Sequence, residues 1–278
     1  MKREARALIA KQTVAICDNG SYVAPSGLHV NIAAELERAR KRTVLYSPEK
    51  PPTPRRGQSG VSTQLDVRNE TTFAALARLA AAGGHLACLN FASAKNPGGG
   101  FLNGSLAQEE ALACASGLYP CLLAAPAYYE RNRANRSALY LDLAIFSPQV
   151  PFFRNDAGVQ LAKPILASVI TAPAPNAGAI AQNEPSNLRH VERTMKGRVE
   201  LILSIASAHQ VDRLVLGAWG CGVFRNDPRI VATIFSESLQ PGGKFAGTFT
   251  EVVFAVYDRS DDLATYRAFA ETFKGSRV

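Results

Sequence analysis

The chain has 278 residues, of which 47% are hydrophobic, and a formal net charge of +8. This length and composition allow one large domain or two modest ones with a sizeable core. No window approaches the roughly 18 uninterrupted apolar residues that span a bilayer, and the opening MKREARALIAKQ lacks the apolar core of a secretory signal. We therefore expect a globular, cytoplasmic protein without membrane association.

The cysteines and histidines argue against a metal site or a disulfide framework. The five cysteines are odd in number, widely spaced and contain no C-x-x-C pair, and the four histidines form no H-x-x-H or H-E-x-x-H cluster. We expect buried, reduced thiols, no bound metal and no cofactor.

The positive charge is spread along the chain rather than gathered on one segment. Dense basic stretches occur only at 37–43 and 130–136, and solvated helix faces or loops are the simpler interpretation of both. The charge favours polyanionic partners. It does not predict a stable nucleic-acid partner.

The N-terminal 60 residues contain short elements and too few apolar residues for a core of their own. In chain order, the pattern predicts a helix at 2–11, a hairpin-like extended segment at 14–30, a helix at 31–41, a strand at 43–48 and an irregular Pro/Gly/Ser-rich stretch at 47–60. We expect residues 1–60 to form a helical and extended appendage packed on a main domain at 61–278.

After residue 60, strands alternate with helices. The predicted strands are 62–69, 85–92, an extended 144–155, 164–175, 213–219 and 250–258, and the predicted helices are 71–83, 107–122, about 187–208, 227–239 and one at the end of the chain. Such alternation predicts an α/β fold with three layers, in which helices cover both faces of the sheet.

Two glycine-rich loops, 93–107 and 220–227, each follow an apolar strand and open a helix. In such sheets ligands bind beyond the carboxyl ends of strands, where backbone N–H groups and helix N-termini favour anions. The loops therefore predict a phosphate-bearing ligand. Neither contains the G-x-G-x-x-G fingerprint or the Lys-Ser/Thr of a P-loop.

The first loop places three glycines, Gly98 to Gly100, before two adjacent acids, Glu109 and Glu110. Glycines allow close approach of the backbone to a ligand, although a tight turn is the alternative. Acids are common in a first helical turn, and adjacent helical residues point about 100° apart. If this is a glycosidase site, one acid transfers protons, the other holds the sugar, and water attacks an oxocarbenium-like ribosyl centre.

NPGGG, followed after seven residues by QEE, resembles the signature of the poly(ADP-ribose) glycohydrolases, and GAWGCGVFRNDP resembles the diphosphate loop of their bacterial-type branch. The resemblance extends over roughly Thr63 to Phe273. It implies a macrodomain-like mixed sheet that binds ADP-ribose at the strand ends. It also implies cleavage of ribose–ribose bonds, mainly from the polymer end.

The resemblance also implies residue roles. Glu110 would protonate the leaving ribose oxygen and then activate water, while Glu109 would hold ribose hydroxyls. Gln108 would orient the acids or cap their helix. The remaining expected ADP-ribose contacts are Asn96, Gly98, Gly99, Gly100, Gly220, Cys221, Gly222, Val223, Phe224 and, more weakly, Asn226.

Some positions and alternatives stay open. Arg225 stands where a smaller residue is expected, and could reach a phosphate or face solvent. Phe254, Tyr257 and Asp258 lie where macrodomains contact adenine, with core packing the better interpretation of Phe254.

The implied substrate is poly(ADP-ribose) or ADP-ribosylated protein, the product is ADP-ribose, and the enzyme is a monomer that reverses ADP-ribosylation, including in the DNA damage response. The alternatives are a mono-ADP-ribosyl hydrolase and a non-catalytic ADP-ribose-binding macrodomain. The second acid argues against the latter, because binding alone does not require it.

Overall fold

The computed structural model describes residues 2–55 and 62–274. Its strands are β1 (Ser21–Val23), β2 (His29–Asn31), β3 (Val44–Tyr46), β4 (Gln64–Arg68), β5 (Leu86–Phe91), β6 (Ala144–Arg154), β7 (Gln160–Ala172), β8 (Arg213–Leu216) and β9 (Glu251–Ala255). Its α-helices are α1 (Arg3–Asn19), α2 (Ala33–Lys41), α3 (Thr72–Ala80), α4 (Gln108–Ala115), α5 (Leu118–Leu123), α6 (Pro126–Ala134), α7 (Ala177–Asn183), α8 (Val191–Ala208), α9 (Pro228–Leu239) and α10 (Ala264–Thr272).

A mixed sheet of seven strands, in the order β3-β6-β7-β5-β8-β9-β4, organises the described residues. Strands β7, β5, β8, β9 and β4 pair in parallel. Strand β6 runs antiparallel to both β7 and the edge strand β3. The central β5 is buried along nearly its whole length, as expected for a parallel strand that is covered on both faces.

Helices bury both faces of this sheet, which confirms the predicted three-layer α/β/α class. On one face, α8, α9 and α10 enclose a core that includes Trp219 and Phe254. On the other face, α3 to α6 enclose a core that includes Leu76 and Tyr128. All four of these side chains are fully buried.

The N-terminal segment joins the main sheet as well as packing on it. Strand β3 forms the sheet edge, and β1 and β2 form a separate antiparallel hairpin. Helix α1 is longer than the predicted 2–11, because Ala10, Thr13 and Ile16 continue its buried face at helical spacing. It ends at Gly20, which adopts a left-handed conformation with φ 67°. The proposed domain boundary at residue 60 stays a prediction, and residues 56–61 lie outside the described part.

Two predicted helices differ in detail from the structure. The single helix expected at 107–122 is broken between α4 and α5, because Ser116 forms a bridge with Phe152 and the Gly117 N–H bonds to the Pro151 carbonyl. The helix expected from 187 begins as a 3-10 turn, Pro185–His190, before α8. Helices α6 and α7 were not predicted.

None of the helices within residues 2–55 and 62–274 combines the length and apolar character that a membrane span requires.

Candidate active site

The candidate site lies where the sheet topology changes direction. The chain leaves β5 through α4 to α6 toward β6 and β7, whereas it leaves the adjacent β8 through α9 toward β9. Loops from such neighbouring strands diverge and open a crevice between them. A cavity of about 1010 Å³ occupies this crevice, and its wall includes residues that follow the carboxyl ends of all five parallel strands.

Gln108 fixes the start of α4 against β5. Its Oε1 accepts the Phe91 N–H at 2.8 Å, and its Nε2 donates to the Leu89 carbonyl at 2.7 Å and to Thr72 Oγ1 at 3.1 Å. The carboxamide thus satisfies strand groups as a neighbouring strand would. It does not cap the helix: Ala107 is the N-cap residue, without a side-chain cap. Gln108 therefore holds the acids that follow it in place.

Glu109 points into the protein and is only 3% exposed. Its Oε2 accepts the Ser93 N–H at 2.7 Å and its Oε1 accepts from Asn90 Nδ2 at 3.3 Å. Burial raises the pKa of Glu109 to about 8, against the lowering effect of these hydrogen bonds, and the neighbouring Glu110 charge raises it further. The surroundings of Glu109 therefore favour its protonated form at neutral pH.

Glu110 lies beside the glycine triplet and lines the cavity. Its Oε1 accepts the Gly100 N–H at 3.0 Å. Its Oε2 is buried and has no hydrogen-bond partner within the described residues. One carboxyl oxygen is therefore fixed by the backbone, while the other is buried without a partner within the described residues.

The glycine triplet lies beside the two acids. Gly98, Gly99 and Gly100 do not line the cavity. Gly99 has φ +60°, and an added Cβ would overlap Glu110 Oε1 and lie 3.0 Å from Glu109 Oε2. An added Cβ on Gly98 would instead meet the Phe101 ring at 2.9 Å. Gly99 allows the loop to close on the two carboxylates, because a side chain at this position would displace them.

The second loop forms the opposite wall of the cavity. Gly220, Cys221, Gly222, Val223 and Phe224 all line it, as does Asn96 from the first loop. Val223 is 84% exposed at the rim. The Phe224 ring lies 6.1 Å from the ring of Tyr140, measured between centroids. Both loops predicted from the sequence therefore meet at one cleft.

Two residues of the second loop face away from the predicted ligand. Asn226 is 6% exposed and does not line the cavity, because its Nδ2 donates to the carbonyls of Pro175 and Gly220 and secures the loop from beneath. In this structure Asn226 supports the loop, and its predicted ligand contact stays a prediction. Arg225 has φ +56° and packs its side chain over Gly178.

The far end of the cavity is built by residues after β9. Tyr257 and Asp258 line it, whereas Phe254 is fully buried and stacks on Phe273, as its core interpretation predicted. The Asp258 carboxylate accepts the Ser260 hydroxyl, which lowers its pKa most, and also the N–H groups of Ser260, Thr265 and Tyr266, which lower it further. Asp258 thereby fixes the loop that carries Tyr257.

Sequence reasoning missed Asn90 and Ser93, both of which hold Glu109. Asn90 is the only polar side chain in the strand LACLNF, and a fully buried amide in such a strand signals a specific partner. Sequence reasoning also missed Tyr140, whose ring packs on that of Phe224. No sequence signal marks Tyr140, because its position depends on a left-handed backbone with φ 58°.

Comparison with known proteins adds independent information. The family model of the microbial-type PARG catalytic domain matches residues 10–155, which include the glycine triplet and both acids. No curated protein matches the chain. A crystal structure of poly(ADP-ribose) glycohydrolase (PARG) from Thermomonospora curvata is 46% identical, with 97% of this chain and 100% of that chain covered and a TM-score of 0.92.

Two further structures carry ligands. The Thermomonospora curvata enzyme bound to the inhibitor ADP-HPD is 46% identical, covers 97% of this chain and 100% of that one, and has a TM-score of 0.90. Poly(ADP-ribose) glycohydrolase from Deinococcus radiodurans in complex with ADP-ribose is 45% identical, covers 88% of this chain and 98% of that one, and has a TM-score of 0.80. This chain belongs to the microbial-type poly(ADP-ribose) glycohydrolase family, whose macrodomain-like fold it shares.

Proposed function

We propose that this protein hydrolyses the ribose–ribose O-glycosidic bonds of poly(ADP-ribose), mainly from the polymer end, and releases ADP-ribose. The observation that carries the proposal is the placement of Glu110. Its carboxylate lines a cleft at the topological switch point, with Oε1 fixed by Gly100 and Oε2 unpartnered within the described residues. Family membership and relatives solved with ADP-ribose and ADP-HPD support the same substrate.

Glu110 acts as general acid and then general base. As the bond between the anomeric carbon and the bridging oxygen breaks, protonated Glu110 gives its proton to that oxygen, which stays on the shortened polymer. The ribosyl carbon acquires oxocarbenium character. Water then adds its oxygen to this carbon and returns a proton to Glu110. The products are ADP-ribose and a polymer one unit shorter.

Glu109 holds the terminal ribose by hydrogen bonds to its hydroxyl groups. Its own position is set by Ser93 and Asn90. The raised pKa of Glu109 favours its protonated form near pH 7, so Glu109 is available as a hydrogen-bond donor as well as an acceptor. Glu110 thereby transfers the proton, and Glu109 positions the sugar.

The second loop binds the diphosphate of the terminal unit. The backbone N–H groups of Gly220, Cys221, Gly222 and Val223 are the proposed donors, in the manner of an anion-binding loop ahead of a helix. Phe224 presses on the distal ribose, and Asn96 contacts the ribose hydroxyls from the opposite wall. Burial raises the pKa of Cys221 to about 12, so its thiol is not a nucleophile.

The proposal assigns the proton transfer to Glu110 and gives a metal ion no role. We further propose that the protein works as a cytoplasmic monomer in the reversal of ADP-ribosylation, including after DNA damage, without a stable nucleic-acid partner.

Product analysis on two substrates tests the proposed function. Purified poly(ADP-ribose) and a mono-ADP-ribosylated protein are incubated separately with the enzyme, and products are resolved by chromatography. We expect ADP-ribose from the polymer alone, with single units released from the first time points. Release from the mono-modified protein alone would favour a mono-ADP-ribosyl hydrolase, and binding without turnover of either substrate would favour a non-catalytic reader.

A further inference from the structure

Helix α1 contacts both segments that build the acid site. On one side it meets the 3-10 turn Phe101–Asn103 that follows the glycine triplet, and on the other it meets α4, which carries the two acids. Ala10 of α1, Phe101 and Ala113 of α4 form a buried cluster, with exposures of 0%, 1% and 0%. Helix α1 thus packs directly against the loop at 98–107 that precedes the two acids, here called the acid loop.

The backbones of α1 and the acid loop also approach closely. A Cβ added to Gly104 would overlap the Arg3 carbonyl and lie 3.1 Å from the Ala7 nitrogen. Arg3 Nε donates to the Asn103 carbonyl and Arg6 Nε to the Gly104 carbonyl, each at 2.8 Å. These contacts occupy carbonyls at the end of the 3-10 turn that its own hydrogen bonds leave open.

A second set of contacts fixes the far end of α4. Thr13 of α1 is fully buried, and its Oγ1 donates to the Cys114 carbonyl at 2.7 Å. Arg154 of β6 donates through one nitrogen, Nη1, to both Thr13 Oγ1 and the same Cys114 carbonyl. Cys114 lies in the last turn of α4, where carbonyls lack helical partners and a cation complements the helix dipole.

Burying the Arg154 guanidinium beside the end of α4 costs folding stability. It is 2% exposed, and its Nε and Nη2 have no hydrogen-bond partner within the described residues. A buried guanidinium that is only partly satisfied lowers stability relative to an apolar side chain. Its contribution is therefore better sought in the position that it gives to α4 than in stability.

We propose that α1 is a positioning element of the acid site, acting through three contacts: the Thr13–Arg154–Cys114 hydrogen bonds, the packing of Ala10 on Phe101, and the hydrogen bond from Arg3 to the Asn103 carbonyl. Helix α4 has eight residues and is held at its start by Gln108 and at its end by Thr13 and Arg154. Phe101 transmits the second contact, since its ring supports Gly98 in the loop whose Gly100 N–H holds Glu110. This inference rests on the proposed function.

The test separates positioning from folding and from ligand binding. Thr13→Val removes the hydroxyl group and keeps the side-chain shape, whereas Thr13→Ser keeps the hydroxyl. We expect Thr13→Val to lower kcat on poly(ADP-ribose) about tenfold or more, because small displacements of catalytic groups are costly. The Kd for ADP-ribose, measured by calorimetry, should change by less than about threefold, since most of the proposed ligand contacts come from the 220–224 loop and not from α4. Thr13→Ser should restore most of kcat.

Ile16→Val is the matched control on the same helix. Ile16 packs with Tyr22 and Phe153 in the hairpin cluster rather than on the acid loop, so kcat should stay at the wild-type value. Arg3→Ala is an exposed second variant that removes only the contact to the Asn103 carbonyl, and it decides the question if Thr13→Val does not fold. We expect it to lower kcat several-fold.

The outcomes are distinct. Unchanged kcat in both Thr13→Val and Arg3→Ala would overturn the positioning role of α1, as would a loss of ADP-ribose affinity equal to the loss of kcat. Absence of turnover by the wild-type chain would instead contradict the proposed function. A fall in kcat with retained affinity, reversed by Thr13→Ser, supports the positioning role.

Discussion

At the scale of single residues, Glu109 and Glu110 differ through what surrounds them. Adjacent positions on a helix predict separate roles, because their side chains point about 100° apart. The sequence does not show which side chain enters the protein. That depends on β5, whose Asn90 and following Ser93 hold Glu109 at 3% exposure, while Glu110 meets the glycine loop.

The raised pKa of Glu109 has a consequence for stability. Its ordinary pKa is 4.5, and burial raises it to about 8. Since the unfolded chain ionises this group near 4.5 while the folded protein keeps its proton to about 8, its contribution to the free energy of unfolding is lost as the pH rises through this window. At about 1.4 kcal/mol per pKa unit, the loss amounts to a few kcal/mol.

Glu109→Gln removes the titrating group and should flatten this decline. Chemical denaturation at several pH values between 5 and 8.5 would measure it, with wild type losing more stability toward the alkaline end than the variant. Parallel curves for the two proteins would show that Glu109 does not titrate in this window.

At the scale of elements, the glycine triplet lies beside the two carboxylates, and its predicted approach to a ligand stays a prediction. The sequence shows that close approach is needed at Gly98 to Gly100, but not what is approached. The loop turns back through Phe101–Asn103, so the partner is α4 of the same chain. This depends on long-range packing against α1, which local patterns do not contain.

Gly99→Ala tests the contact between loop and acids. The added methyl overlaps Glu110 Oε1 at a left-handed φ of +60°, so we expect kcat to fall by about one to two orders of magnitude as Glu110 is displaced. Gly83→Ala is the control: Gly83 has φ +72° with nothing within 4 Å. It should lose about 1 kcal/mol or more of stability from backbone strain and keep its kcat. Equal effects of both variants on kcat would show that strain alone is responsible.

Gln108→Leu tests the anchor between α4 and β5. It leaves the Phe91 N–H and the Leu89 carbonyl without the partners that they have now. Each buried group left unsatisfied costs about 1–3 kcal/mol, so thermal unfolding should show a marked loss of stability together with a lower kcat. Gln182→Leu, on an exposed position of α7, should change neither, and a similar loss there would contradict the assignment.

At the scale of the whole molecule, alternating strands and helices were sufficient to predict the layered class and the strand ends as the site. They did not predict strand order, because β6 runs antiparallel and β3 comes from the N-terminal segment. Pairing between distant segments is set by packing across the sheet, which a local pattern does not encode. For the same reason, the closeness of α1 to the acid loop could not be seen in the sequence.

The metal-independent mechanism predicts insensitivity to chelators. Extensive dialysis against EDTA should leave kcat on poly(ADP-ribose) within about twofold of the untreated enzyme, because Glu110 supplies the proton that a metal-bound water otherwise would. Activity that disappears on dialysis and returns when a divalent cation is added would contradict this mechanism.

The central claim is that Glu110 transfers the proton in poly(ADP-ribose) hydrolysis. The most direct measurement compares kcat on the polymer with the ADP-ribose Kd for wild type and Glu110→Gln, with Glu130→Gln, an exposed position of α6, as control. We predict that Glu110→Gln lowers kcat by on the order of a hundredfold or more with a nearly unchanged Kd, while the control matches wild type. Turnover by Glu110→Gln at the wild-type rate would contradict the account.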